Sequence, residues 1–189
     1  MLRLFIAIPV PGNIREEIGN LVADLKEVRG LPNDIRFVPE ENWHFTLVFL
    51  GYQPETAPPL IQSSIKEISH SNILKNIRIG FERLTYGPPG KTPRMIWLTA
   101  VSETSRDLGG IKNVLEESLE KNGLRWQKDT RPVGHLTLAR FQLKPIKFLP
   151  KIEKKINWDY GAETLDLMRA TLLRSGAVYD KIFSVDFPK

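Results

Sequence analysis

An α+β fold of two lobes, each built like a β-α-β-β-α-β unit with antiparallel-rich sheets facing a central cleft, is what this sequence predicts. Two observations lead there. The order of apolar segments runs strand, helix, strand, strand, helix, strand, and then repeats after the turn-rich loop Gly87-Pro88-Pro89-Gly90-Lys91-Thr92-Pro93. A His-x-Thr-Leu motif also occurs once in each half, on the corresponding strand.

In the first half, Leu2 to Pro9 reads as a strand, and Ile14, Ile18, Leu21, Leu25 and Val28 follow at helical spacing. Asn13, with Glu16 three residues on, is the expected N-cap of that helix. Ile35 to Val38 and Trp43 to Leu50 are short apolar runs bounded by Pro39 and Gly51, hence strands. A helix is expected between Pro58 and Ile68, and a strand over Asn76 to Leu84. In the second half, Arg94 to Val101 is a strand and Ser105 to Lys121 a helix that ends before Gly123. Strands at Leu124 to Gln127 and Val133 to Phe141, a short helix at Leu149 to Ile156, and strands at Leu165 to Leu173 and Val178 to Phe187 complete the repeat. The chain thus reads as a single bilobal domain over 1–189, with approximate halves 1–86 and 94–189 that could exchange strands.

Composition fits an ordinary globular protein: 189 residues, 41% hydrophobic and 26% charged. Lys and Arg number 27 against 22 Asp and Glu, a surplus that favours an anionic partner. There is no cysteine, which excludes disulfides, thiolate catalysis and cysteine-ligated metals. The run Leu4 to Val10 is short and followed by Pro11, so it reads as a buried strand, not a signal peptide. No segment approaches the roughly 20 apolar residues of a membrane span. A cytoplasmic protein with no membrane association and no obligate protein partner is expected.

The motif itself is His44-Phe45-Thr46-Leu47 and His135-Leu136-Thr137-Leu138. With only three histidines and 10 threonines in the chain, two such pairs are expected by chance roughly once in 120 such sequences. On a strand, residues i and i+2 share a face, so each His-Thr pair points one way while the intervening apolar pair anchors the other. Imidazole titrates near pH 6.5, so one ring can accept a proton while the other donates one. Displacement at phosphorus needs that combination, and threonine hydroxyls can donate to the non-bridging oxygens. His70 lacks the pattern and reads as a surface residue. With three histidines, no cysteine and no His-Glu-x-x-His spacing, neither a metal site nor any cofactor is expected.

At these residues the chain resembles the 2H phosphoesterase superfamily, and within it the RNA 2′,3′-cyclic phosphodiesterases, long called 2′-5′ RNA ligases. The resemblance extends over Arg3-Leu4-Phe5-Ile6-Ala7-Ile8, Trp43 to Gly51, Pro93 to Leu98, His135 to Arg140 and Ser175-Gly176-Ala177-Val178-Tyr179. It implies metal-independent hydrolysis of 2′,3′-cyclic phosphate ends of RNA to 2′-phosphate, with tRNA fragments among the possible partners. The neighbouring alternatives are a reversible 2′-5′ ligase of tRNA halves and an RNA-binding module without turnover. It further implies His44 as general acid and His135 as general base, an order the sequence leaves open to reversal, with Thr46 and Thr137 as phosphate donors. Arg140 closes the second motif and would help neutralise phosphate, although strict alternation puts it on the face opposite His135. Gly134 stands where the family often has proline, and Ala170 where it often has serine.

Groups to read RNA come from basic and aromatic residues: Lys128 and Arg131, on the loop before the second motif, and beyond them Arg36, Phe37, Trp43, Tyr52, Arg94 and Trp126. Trp43 and Trp97 are more naturally core residues.

Overall fold

In the computed structural model, which describes residues 1–128, 134–142, 148–173 and 176–188, the apolar run at the start of the chain forms β1 (Leu2–Pro9). Leu4, Ile6 and Ile8 are fully buried on one face, and Phe5 and Ala7 are 3% and 1% exposed on the other. A strand covered on both sides reads as a continuous apolar run, because neither face has water to satisfy. β1 therefore sits inside a sheet, between β3 (His44–Gln53) and β9 (Thr164–Leu173), with β10 (Gly176–Asp186) outside β9. All of these pairings are antiparallel.

The second sheet runs in the order β2 (Arg36–Phe37), β6 (His135–Arg140), β5 (Met95–Ala100), β4 (Arg78–Gly87), β7 (Lys154–Lys155), and β8 (Asp159–Gly161) pairs with the start of β4. It too is antiparallel. Each sheet takes strands from both halves of the chain. Among the described residues there are three α-helices, α1 (Gly12–Lys26), α2 (Ala57–Ser69) and α3 (Ser102–Lys121). α1 buries Ile14, Ile18, Leu21 and Leu25, the residues whose spacing predicted it. α2 packs on β9, β10 and α3, and α3 packs on β3 and β4. The architecture is a mixed α+β fold with antiparallel sheets, and no helix of the described residues is long and apolar enough to cross a membrane.

Three expectations need correction. Residues 149–156 are not helical: Lys154 and Lys155 pair with Leu84 and Arg83, and Ile156 N donates to Glu82 O at 2.8 Å. Ile152 and Ile156 mimic a helical stripe, but the edge of β4 takes up this backbone instead. Residues 124–127 form no strand; the Arg125 carbonyl accepts from the Gln53 side chain at 3.1 Å and not from a ladder partner. The second half consequently does not reproduce the first half's element order. Lastly, α1 starts at Gly12 after Pro11, which leaves Asn13 inside the helix, and no side chain caps it.

Candidate active site

β2 belongs to the second sheet and β3 to the first, so the short segment between them crosses from one sheet to the other. Backbone bonds fix both ends: Val38 N donates to Leu138 O at 2.8 Å, and Val10 N to Trp43 O at 3.0 Å. Trp43 is 3% exposed, and its indole N–H donates to Val38 O at 3.1 Å across the crossing. This delivers His44 to the first position of β3, and Cα atoms of β3 and β6 come within 8 Å of each other.

His44 Nδ1 lies 2.7 Å from Asn42 O. A carbonyl only accepts, so Nδ1 carries hydrogen, and in the neutral ring Nε2 holds a lone pair. Nε2 is 3.0 Å from the Thr46 hydroxyl, which donates to it. The i, i+2 spacing thus produces a real contact. Burial pushes the His44 pKa down from 6.5 to about 4; the Asn42 carbonyl works against that shift, and the positive charge of Arg140 adds to it.

Aromatic rings pack against the imidazole. The Phe5 ring lies 5.0 Å from the imidazole at 34°, and the Tyr179 ring packs edge-on against both, 5.4 Å from His44 and 5.0 Å from Phe5. Tyr179 reaches this position because the sheet is coiled. By strand register Ala177 belongs beyond the Leu2 end of β1, whereas Asn42 lies beyond the Pro9 end, yet Asn42 Nδ2 donates to Ala177 O at 3.1 Å. Diagonally opposite corners of the twisted sheet have folded toward each other over one face. Asn42, 9% exposed, thereby ties the β9–β10 hairpin and the histidine together through its side chain and its carbonyl.

On β6, His135 stacks on Trp97 with ring centroids 3.8 Å apart at 22°. Trp97 faces Thr137 across the ladder, so His135, Thr137 and the indole share a face. The indole lies directly on the backbone of Gly87, where a Cβ would come within 2.3 Å of its ring. Gly134 has φ +105°, which proline, confined to about −65°, cannot adopt. That accounts for the departure at this position.

A register shift between Ile96 and Trp97 leaves Leu138 as an extra residue on β6. Leu138 and Ala139 are both fully buried in succession, and alternation resumes one residue late. The bulge therefore turns Arg140 onto the face of His135 and Thr137, and resolves the conflict that strict alternation creates. Its guanidinium acts on His44 electrostatically and has Nη1 3.2 Å from Met95 Sδ. Arg36 stands opposite Arg140 in register and shares that face.

Lys128 is held by α3: its ammonium lies 3.0 Å from Glu120 and 3.9 Å from Glu116, and over the Trp126 ring. Arg131 lies outside the described residues. Trp43 and Trp97 are buried, as expected of core residues. Sequence reasoning missed Asn42 and Tyr179, which sheet coiling brings together, and Phe5, which reaches the imidazole from the neighbouring strand β1. Only the run of apolar residues on both faces of β1 hinted that something covers Phe5.

The depressed His44 pKa links stability to pH. The unfolded chain takes up the proton near pH 6.5 and the folded one near 4, so this contribution is complete above 6.5 and is lost as pH falls toward 4. His44→Gln should flatten the stability profile over that window in urea melts at successive pH values. Tyr179→Ala should raise the His44 pKa toward 6.5 in an NMR titration, whereas Tyr179→Phe should leave it low. Gly87→Ala should displace the indole under His135; overpacking of this kind costs about 1–3 kcal/mol, and a thermal melt compared with wild type checks it.

The LigT-like phosphoesterase family matches the chain over residues 8–97. The RNA 2′,3′-cyclic phosphodiesterase of Methanocaldococcus jannaschii is 30% identical over 187 residues, covering 96% of this chain and 98% of that protein. The protein of the same name from Archaeoglobus fulgidus is 29% identical, covering 94% and 96%. Among solved structures, TT0787 of Thermus thermophilus superposes with a TM-score of 0.77 at 25% identity, covering 98% of each chain. Escherichia coli LigT complexed with 3′-AMP superposes at 0.76 and 23% identity, covering 100% and 99%, a likeness of fold. With near-complete coverage in both directions, the chain belongs to the LigT-like phosphoesterases, enzymes acting on phosphodiester bonds.

Proposed function

We propose that the protein hydrolyses 2′,3′-cyclic phosphate ends of RNA to 2′-phosphate ends, with His44 and His135 exchanging protons with the substrate across one phosphorus atom. The observation that carries this reading is the His44 clamp. Asn42 O holds Nδ1–H, which leaves the Nε2 lone pair beside the Thr46 hydroxyl, on a strand whose backbone approaches the one bearing His135 and Thr137. The names of the relatives from Methanocaldococcus jannaschii and Archaeoglobus fulgidus support the RNA substrate.

The reaction adds one water. Its oxygen bonds to phosphorus while one imidazole takes its proton; the P–O3′ bond breaks, and O3′ leaves with a proton from the other imidazole. Thr46, its hydroxyl turned from His44 Nε2 to the substrate, and Thr137 donate to the non-bridging oxygens, and Arg140 faces their negative charge. The scheme calls on no metal or cofactor. The clamp favours His44 as the base, the reverse of the order that resemblance implies: a ring neutral above about pH 4 can accept at Nε2 but has no proton there to give.

Hydrolysis of a cyclic-phosphate-ended RNA should proceed in EDTA and yield a 2′-phosphate. Dependence on an added divalent ion would overturn the scheme. His44→Ala and His135→Ala should each lower kcat by at least the 10²–10⁴-fold typical of removing an acid or base, with RNA binding retained. In the pH profile of kcat/KM, the acid limb should fall near pH 4; a profile that instead loses activity as pH rises through 4 assigns His44 as the acid.

A further inference from the structure

The face of the first sheet that carries His44 does not end at the aromatic cluster. β3 contains two bulges, at Leu47 and Leu50, where its register on β1 shifts. The first buries Leu47 and Val48 in succession and brings Phe49 onto the His44 face, where it packs with Phe5, Ala7 and Met168. The second sets Tyr52 opposite Arg3. The Arg3 guanidinium lies over the Phe49 ring, 4.9 Å from its centroid, and so belongs to this same face.

A continuous line of rings and one cation results: His44, Phe5, Phe49, Arg3, Tyr52. Phe5 is buried, Phe49 and Arg3 are half-buried, and Tyr52 is 62% exposed. Arg3 has no carboxylate partner among the described residues. Along β1 the line spans six residues from the His44 row to the Arg3 row, about 20 Å at strand rise.

The exposed end of this face, with the Tyr52 ring and a guanidinium that has no carboxylate partner among the described residues, is the chemistry that holds single-stranded nucleic acid, a base stacking on the ring and the cation meeting phosphate. We propose that Arg3, Phe49 and Tyr52 bind the nucleotides on the 5′ side of the cyclic phosphate, so that the substrate is a single-stranded RNA end and not a mononucleotide. The continuity of this face with His44 and the positive charge of Arg3 decide the occupant. This rests on the cyclic phosphodiesterase reading for its orientation, because the reactive end must lie at His44.

The test compares a 2′,3′-cyclic mononucleotide with a short single-stranded RNA ending in the same cyclic nucleotide. The RNA should show the lower KM. Tyr52→Ala and Arg3→Ala should each raise that KM roughly tenfold, the size expected for one stacked base, and leave the mononucleotide constants unchanged. Arg3→Lys should recover only part of the loss. Binding of the RNA with a 2′-phosphate end, followed by fluorescence anisotropy, gives a readout apart from turnover, and Tyr52→Ala should weaken it similarly. An RNA no better than the mononucleotide, or a Tyr52→Ala variant that binds RNA as wild type does, overturns the proposal. A protein without turnover that still shows the anisotropy difference overturns the cyclic phosphodiesterase reading alone.

Discussion

The crossing segment from β2 to β3 sets the position of His44 itself. The proposed role of His44 needs a defined ring orientation and a defined tautomer, and both follow from a segment tied at Val38 and Trp43. Val38 is bonded to Leu138 in β6, next to Thr137; Trp43 is bonded to Val10 beyond the end of β1. With so few residues between, β3 cannot move far from β6 without breaking backbone hydrogen bonds in one of the two sheets. The Asn42 carbonyl then fixes the ring from within the same segment. Orientation at His44 is thus a property of the main chain, and the side chain of Asn42 extends the restraint to the β9–β10 hairpin.

Bulges do the remaining placement. A strand with strict alternation offers every second residue to a face, which suits His44 with Thr46 and His135 with Thr137. It does not suit a site that needs an arginine three residues after Thr137 or an aromatic three residues after Thr46. In β6 the extra Leu138 delivers Arg140, and in β3 the extra Leu47 delivers Phe49. In both strands the extra residue is buried, so the irregularity costs ladder bonds but no apolar exposure. The two halves arrive at the same solution with different residues.

This explains what was legible in the chain and what was not. The paired motifs, β1, β3 to β6, β9, β10 and the three helices follow from local periodicity and turn chemistry, which nearby residues carry. The stretch 149–156 and the stretch 124–127 failed because their backbone partners are remote: Glu82 and Leu84 in the one case, the Gln53 side chain in the other. Isoleucines spaced at 152 and 156 cannot signal that an open strand edge lies beside them. The face of Arg140 depended on a bulge that no residue type in His135 to Arg140 announces. Tyr179 and Asn42 joined the site through coiling of a whole sheet, a property of the assembled strands.

The environment that favours His44 as the base in the proposed mechanism also gives the free protein an electrostatic bias. Burial and the charge of Arg140 both disfavour the imidazolium, so the site keeps its positive charge on guanidinium, which stays protonated at any accessible pH. A bound phosphate meets a permanent cation and a neutral acceptor, and does not depend on a histidine happening to be charged. In the proposed mechanism, where the ring takes a proton from water, the substrate phosphate and the Asn42 carbonyl would together hold the imidazolium that forms. On that mechanism His44 is uncharged before substrate arrives and its charge is offset by the substrate phosphate, the kind of differential stabilisation that would accelerate a proton transfer.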